Sequence, residues 1–384
     1  MNEVFISPMM LKWACERAHV SSAVLAEKIS NKVPLWLSGE AKPTFLQAQK
    51  VSKILHIPFG YLFLNKPPEE PMPLPDLRTV GDAVIGEISV DLREVILDAL
   101  SKQEWYKEYA AGQGLEQLPF IGRFSAQHTP IEVAQGIAQT LGIDDELRSS
   151  VNNGESFLSV LIEKAEDAGI LMMHSGIVGS HTRRALKVNE FRGFAISDPI
   201  APLVFLNWKD SKAARTFTLI HELAHLWIGQ SGVSDLSLSD ETSAIHLDSE
   251  TFCNAVAADG LVPEVSFHER WNQEISIADN AHELVRYYRV SSVVIGRRAY
   301  ELGVVSWTEY IAFYQEEAKQ WKQPKAANPG GNYYTTIRTR LGKRFAKAVV
   351  SSVQQGRLLY RDAGHLLGMK PSNISNLSKE LGFK

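Results

Sequence analysis

Cysteine is nearly absent: Cys15 and Cys253 are the only two in 384 residues. Two thiols cannot build a disulfide framework, which excludes a small secreted scaffold held by disulfides. Long apolar runs are missing as well. No window reaches the roughly 18 uninterrupted apolar residues of a membrane span. The opening MNEVFISPMMLKWACER lacks a basic patch followed by a clean apolar core. A cytoplasmic protein with no membrane partner is expected. Net charge is small too, with 40 Lys and Arg against 44 Asp and Glu, or −4. That argues against a whole-chain nucleic-acid coat but leaves room for a small basic module. No fixed-period repeat and no low-complexity tract is present, and the length suits two or three domains, each with its own core.

What is present divides the chain. Apolar residues recur at helical spacing through Met10, Leu11, Trp13, Ala14 and again through Val24, Leu25, Ala26, Ile29, with Ser21 or Ser22 as a cap. Leu46, Val51, Ile54 and Leu55 mark a further helix, begun after Pro43-Thr44 and stopped before Pro58. Residues 1–66 hold eight bases and four acids, a mild positive bias. A proline-rich joint, KPPEEPMPLPD at 66–76, disfavours helix and stiffens the link. Mostly helical patterning runs to about 169. Strand-like runs follow at 169–173 (GILMM), 192–196 (RGFAI) and 202–207 (PLVFLN). Helices are predicted from Ser211, over 242–258, 277–288, 291–302 and 306–322. The joint PKAANPGGN at 324–332 precedes a helical tail with a basic stretch, RTRLGKR at 338–344.

The strongest signal is HELAH at 221–225, inside the helical run FTLIHELAHLWIG. His221 and His225 stand four apart, so both imidazoles leave one face of the helix. That spacing lets two neutral imidazoles bind zinc while Glu222 contacts the metal-bound water. A surface helix with incidental histidines, or a metal held without catalysis, is the blander reading. The longer HExxHxxGxxH pattern fails, because Ile228 and Ser231 occupy its last two positions. The third ligand must come from elsewhere, and Asp240, Glu241, His246, Asp248 and Glu250 are candidates. Glu250 is preferred because it precedes the apolar Phe252, Ala255, Val256 face; Glu241 is next. Asn254 shares that face and could orient a ligand histidine. The strand-like runs RGFAI and PLVFLN could offer a sheet edge on which a peptide lies as an added strand. A donor for the oxyanion is sought among His246, His282, Tyr287, Tyr288, Arg297 and Arg298, and the sequence does not choose.

Residues 190–300 resemble the ImmA/IrrE metallo-endopeptidase family. The resemblance rests on RGFAISDPIAPLVFLN, RTFTLIHELAHLWIG, ETFCNAVAADGLVP and VSSVVIGRRAYELGVVS. It implies zinc (Zn2+) held by His221, His225 and Glu250, with Glu222 catalytic. Asp259 departs from the family's usual glutamate-rich stretch. The wider chain is similar to phage- and toxin–antitoxin-associated proteins that join an N-terminal Xre/Cro-type helix-turn-helix to this peptidase, through KVPLWLSGEAKPTFLQAQKVSKILHIPFGYLFL and LPDLRT. The implied substrate is a repressor or antitoxin-like protein.

The expected fold is therefore α+β and mostly helical. Residues 1–66 would be an Xre-like helix-turn-helix domain, 67–150 a linker and helical connector, 151–323 a zincin-like domain with a small sheet, and 333–384 a helical C-terminal region. Duplex DNA would meet residues 1–66 around Asn31, Lys32 and Lys42, and a homodimer would suit such a module. The physics behind that DNA reading is thin: Pro34 fits only in a first helical turn, and few side chains suit bidentate base contacts. Protein docking is the alternative for this unit. For the whole chain the alternative is a DNA-binding regulator or antitoxin on a non-catalytic zincin scaffold. Two later segments, 280–303 with Arg297 and Arg298 exposed, and 358–382, share a helix-turn-helix rhythm.

Overall fold

The computed structural model describes residues 3–71, 73–75, 88–125, 127–234, 247–321 and 333–383. The fold is α+β and mostly helical, with one small mixed sheet. The chain forms two compact units, one of residues 1–73 and 86–96, the other of 74–85 and 97–384.

The first unit packs α1 (Pro8–Arg17), α2 (Ser22–Lys28), α3 (Val33–Ser38) and α4 (Phe45–Ile54) around Trp36, Leu11, Leu25 and Val51. Short polar side chains start these helices. Ser21 accepts from the Val24 amide, and Thr44 and Gln47 form a reciprocal capping box at the start of α4. Pro34 lies in the first turn of α3, where its missing N–H costs nothing. The proline-rich joint is anchored to this unit. Arg17 donates to Glu70 through Nε (2.6 Å) and Nη2 (3.1 Å), and Arg93 donates to the carbonyls of Glu70 and Pro71. Helix α5 (Val90–Gly112) begins in this unit and carries the chain into the second.

The second unit continues with α6 (Pro130–Leu141), α7 (Asp145–Ser150) and α8 (Gly154–Ala168). Strands β1 (Leu171–Ser175), β2 (Gly193–Ile196) and β3 (Leu203–Asn207) lead into α9 (Lys212–Trp227), followed by β4 (Gly232–Ser234). Helices α10 (Leu247–Leu261), α11 (Glu264–Arg270), α12 (Ile277–Tyr288), α13 (Ser292–Glu301) and α14 (Trp307–Trp321) complete the body. A last group follows: α15 (Tyr333–Leu341), α16 (Lys343–Gln354), α17 (Tyr360–Leu367) and α18 (Ile374–Glu380). The joint at 324–332 lies outside the described residues.

The sheet order is β1-β3-β2-β4, with β1 and β3 parallel and β2 antiparallel to both of its neighbours. Every strand residue is buried, which is why these strands read as short apolar runs and not as alternation. RGFAI and PLVFLN, either of which could have offered an edge or been a plain core strand, are the two internal strands. The edges are β1 and β4. On the outer side of β4 the Val233 amide donates to the Pro75 carbonyl at 3.1 Å.

Helix α9 is the centre of this unit. Ser211 caps it by accepting from the Ala214 amide. Its residues from Thr216 to Trp227 are all buried, with β2 and β3 on one side and α10 and α6 on the other. Phe217, Leu219, Leu223 and Trp227 each contribute about 1.5–3 kcal/mol by leaving water. The C-terminal helices dock on α8. Arg344 donates from its backbone amide to Glu166 Oε1 (2.8 Å), from Nη1 to the Glu166 carbonyl (3.0 Å) and from Nε to Tyr106 (2.8 Å). Among the described residues no helix is long and apolar enough to cross a membrane.

Candidate metal centre

The 3.6-residue period of α9 stacks His221 over His225, and both rings are fully buried. Helix α10 lies across α9 and brings Glu250 to the same point. Glu250 Oε2 is 3.2 Å from His221 Nε2, and Glu250 Oε1 is 3.0 Å from His225 Nε2. The two Nε2 atoms are 3.0 Å apart. Zinc bonds of about 2.0–2.1 Å to four tetrahedral ligands place neighbouring ligand atoms roughly 3.3 Å apart. Two imidazole nitrogens and a carboxylate converging at such distances fit a divalent cation of the zinc type.

The electrostatics match this geometry. Burial alone would raise the Glu250 carboxyl, but His221 and then His225 outweigh it and hold it down at about 2. Burial lowers His225, against a partial opposing pull from Glu250, so the ring favours its neutral, ligating form. Glu222 is fully buried, and burial first, then the Glu250 charge, pushes its carboxyl well above the ordinary range. The Ser234 side chain is the one polar neighbour that pulls this carboxyl back down among the described residues, and it does so only in part. Cys253 is buried on the same helix as Glu250, and its thiol is pushed up by burial, then by the charges of Glu250 and Glu222.

Two contributors escaped the sequence reading. Ser234 of β4 is buried with its Oγ 3.5 Å from His225 Nε2. Gly193 of β2 faces Glu222: a Cβ there would lie 2.6 Å from Glu222 Oε1 and 3.0 Å from Thr218 Cγ2. Only glycine lets the strand come this close to the acid. Neither residue carries a sequence signal, since β4 is three residues long and Gly193 looks like any strand-breaking glycine.

The other candidates sit as follows. Asp240, Glu241 and His246 lie outside the described residues, and Asp248 is placed only as part of the α10 backbone. Asn254 is half-buried on α10, and neither His221 Nδ1 nor His225 Nδ1 has a hydrogen-bond partner among the described residues, so it orients neither ring here. His282 pairs with Glu317, Tyr287 bonds Asp145, and Tyr288 bonds Ser266. Arg298, expected to be exposed, is buried: its Nη2 donates to Asp259 at 2.6 Å and its Nε to the Val262 carbonyl. Arg297 pairs with Glu301 along α13. The departure at Asp259 thus has a structural role, tying α10 to α13. Asn31, Lys32 and Lys42 are exposed in the first unit.

No curated protein and no solved structure matches the chain. Residues 341–380 match a domain of unknown function (DUF8813). Residues 165–300, which hold His221, His225 and Glu250, match the family described as the IrrE N-terminal-like domain, a peptidase family. The centre of the chain is therefore an IrrE-like, metallopeptidase-like domain built around a buried His/His/Glu cluster.

Proposed function

We propose that the protein is a zinc-dependent endopeptidase that cuts a regulatory protein, a repressor or an antitoxin, and so acts on transcription. The observation that supports this most is the placement of Glu222, a fully buried acid, close to the Glu250 carboxylate that joins His221 and His225. A bound zinc ion would supply Lewis-acid polarisation of the peptide carbonyl and an acidified water. His221, His225 and Glu250 would hold it. Glu222 takes the proton of the attacking water and returns it to the leaving amine. The apolar walls of α9 keep bulk water away and strengthen these interactions.

The test is a Glu222→Gln variant beside the wild type, incubated with purified repressor-like proteins encoded nearby. The expected outcome is equal zinc content with cleavage only by the wild type. Zinc-loaded wild type that cuts none of them, with the variant regulating transcription as well as the wild type, would favour the second reading. In that reading the chain is a DNA-binding regulator or antitoxin whose zincin site is not catalytic. Exposed Asn31, Lys32 and Lys42, within residues 1–66 that hold eight bases and four acids, support it. Deleting residues 1–66 would then abolish operator binding, and a dimer would suit a two-fold operator.

A further inference from the structure

We propose that the C-terminal helices α16–α18 read duplex DNA in the major groove, as a module separate from both the metal centre and residues 1–66.

The local geometry is that of a helix-turn-helix. Helix α17 ends at Gly368, whose left-handed backbone (φ 61°) turns the chain back. The Met369 amide then donates to the Gly364 carbonyl at 2.9 Å. A Cβ on Gly364 would lie 2.9 Å from the Met369 carbonyl oxygen and 3.2 Å from Pro371 Cγ, so the turn sits directly on the backbone of α17. After the turn, a 3-10 segment (Pro371–Asn373) runs straight into α18. Leu367, Ile374 and Leu377 are buried, and α16 packs against both α17 and α18. Two helices joined by a tight glycine turn and braced by a third form the unit that inserts its second helix into a groove.

The exposed side of that second helix has the chemistry to read bases. Ser375, Asn376, Lys379 and Glu380 are exposed on α18, and Lys370 and Ser372 on the turn before it, while Ile374 and Leu377 point inward. Asn and Ser suit base edges, and Lys suits flanking phosphates. In contrast, α3 exposes Pro34, Leu35 and Ser38, and the Ser38 hydroxyl donates to the Leu35 carbonyl.

Charge points to a polyanion. Residues 333–384 contain ten Lys and Arg against two acids, in a chain whose total is −4. The remainder therefore carries −12. Some of these bases hold the module in place, as Arg344 does on Glu166 and Arg340 on the Gly179 carbonyl. Lys347, Arg357, Lys370 and Lys379 remain exposed. A basic concentration this local, on an otherwise acidic chain, favours DNA over an acidic or apolar protein partner. The apolar exposure at the start of α17, Leu359 and Tyr360, is confined to two adjacent residues.

The experiment uses the full chain and a pool of random-sequence duplex DNA. Sequences retained by wild type are enriched, and one is then titrated by fluorescence anisotropy at several salt concentrations. A shared motif should emerge. Lys370→Glu/Lys379→Glu should weaken its binding by about tenfold or more and flatten the log–log salt slope by about two. Ser375→Ala/Asn376→Ala should relax the base preference with a smaller loss of affinity, and serves also if the charge variant folds poorly. Glu222→Gln should bind as wild type does, which separates this inference from the peptidase reading. No enriched motif overturns the proposal. So does binding that survives both C-terminal variants and is lost on changing Lys32 and Lys42.

Discussion

Gly193 and Glu222 meet across the gap between β2 and α9, so closely that a single methyl on the glycine would lie 2.6 Å from the carboxylate. The space that the Glu222 carboxyl occupies is thus left open by a residue that has no side chain. Gly193→Ala must displace Glu222, the strand, or both. Metal content should stay near the wild-type level while peptide cleavage falls by about tenfold or more, the scale expected for a misplaced catalytic group. Stability should fall by about 1–3 kcal/mol from overpacking. Metal content and cleavage measured on one preparation decide this. Unchanged cleavage would mean that the glycine does not position the acid.

Metal content itself is the next prediction. Wild type should hold about one zinc per chain, and a His221→Ala/Glu250→Ala variant close to none. Chelation should lower the melting temperature of wild type and leave the variant unmoved, because only the former has binding energy to lose. Wild type that stays metal-free after resupply would sink the site.

A histidine away from the centre makes the pH dependence readable. His174 of β1 stacks on Trp208 with ring centroids 3.9 Å apart, and Arg215 covers the other ring at 4.1 Å. Burial first, then the Arg215 charge, lowers His174 to about 3. The unfolded chain takes up this proton below about pH 6.5, and the folded chain does not until about 3. Stability from this residue is therefore intact above 6.5 and is lost as pH falls through that window, by about 1.4 kcal/mol per pH unit. Urea midpoints between pH 5 and 7 should show a shallower slope for His174→Phe than for wild type. Coincident slopes would mean that the folded ring accepts the proton.

Asp259 and Arg298 form a pair in which both side chains are buried. Among the described residues, Asp259→Ala leaves a buried guanidinium with only the Val262 carbonyl to answer it. Stability should drop by about 3–5 kcal/mol. Restoring packing with Asp259→Ala/Arg298→Met should recover much of the loss, and a double variant no better than the single would remove charge burial as the cause.

Much of the His221, His225 and Glu250 cluster was legible from the chain. Periodicity alone puts His221 and His225 on one face, and the apolar residues after Glu250 mark a helix that must pack inward. The start of α9 after Ser211 and the span of α12 followed from the same reasoning. What escaped was what depends on partners distant in sequence. Arg298 looks solvent-facing in an amphipathic pattern because its counter-ion stands on another helix. Ser234 belongs to a strand too short to show a period. Which strands are internal depends on pairing, and the apolar runs of β2 and β3 record burial without recording neighbours.

The bond from the Val233 amide to the Pro75 carbonyl sits on the outer edge of β4, one residue from Ser234 and its contact with His225. A peptide that aligned along this edge would find its donor engaged by a group on the same chain. Binding there is an exchange and not an addition. The resident competitor is tethered, so its local concentration does not fall on dilution. Affinity along that edge is then set by the difference between two ligands, and any event that draws the joint away from β4 raises it with no change at His221, His225 or Glu250.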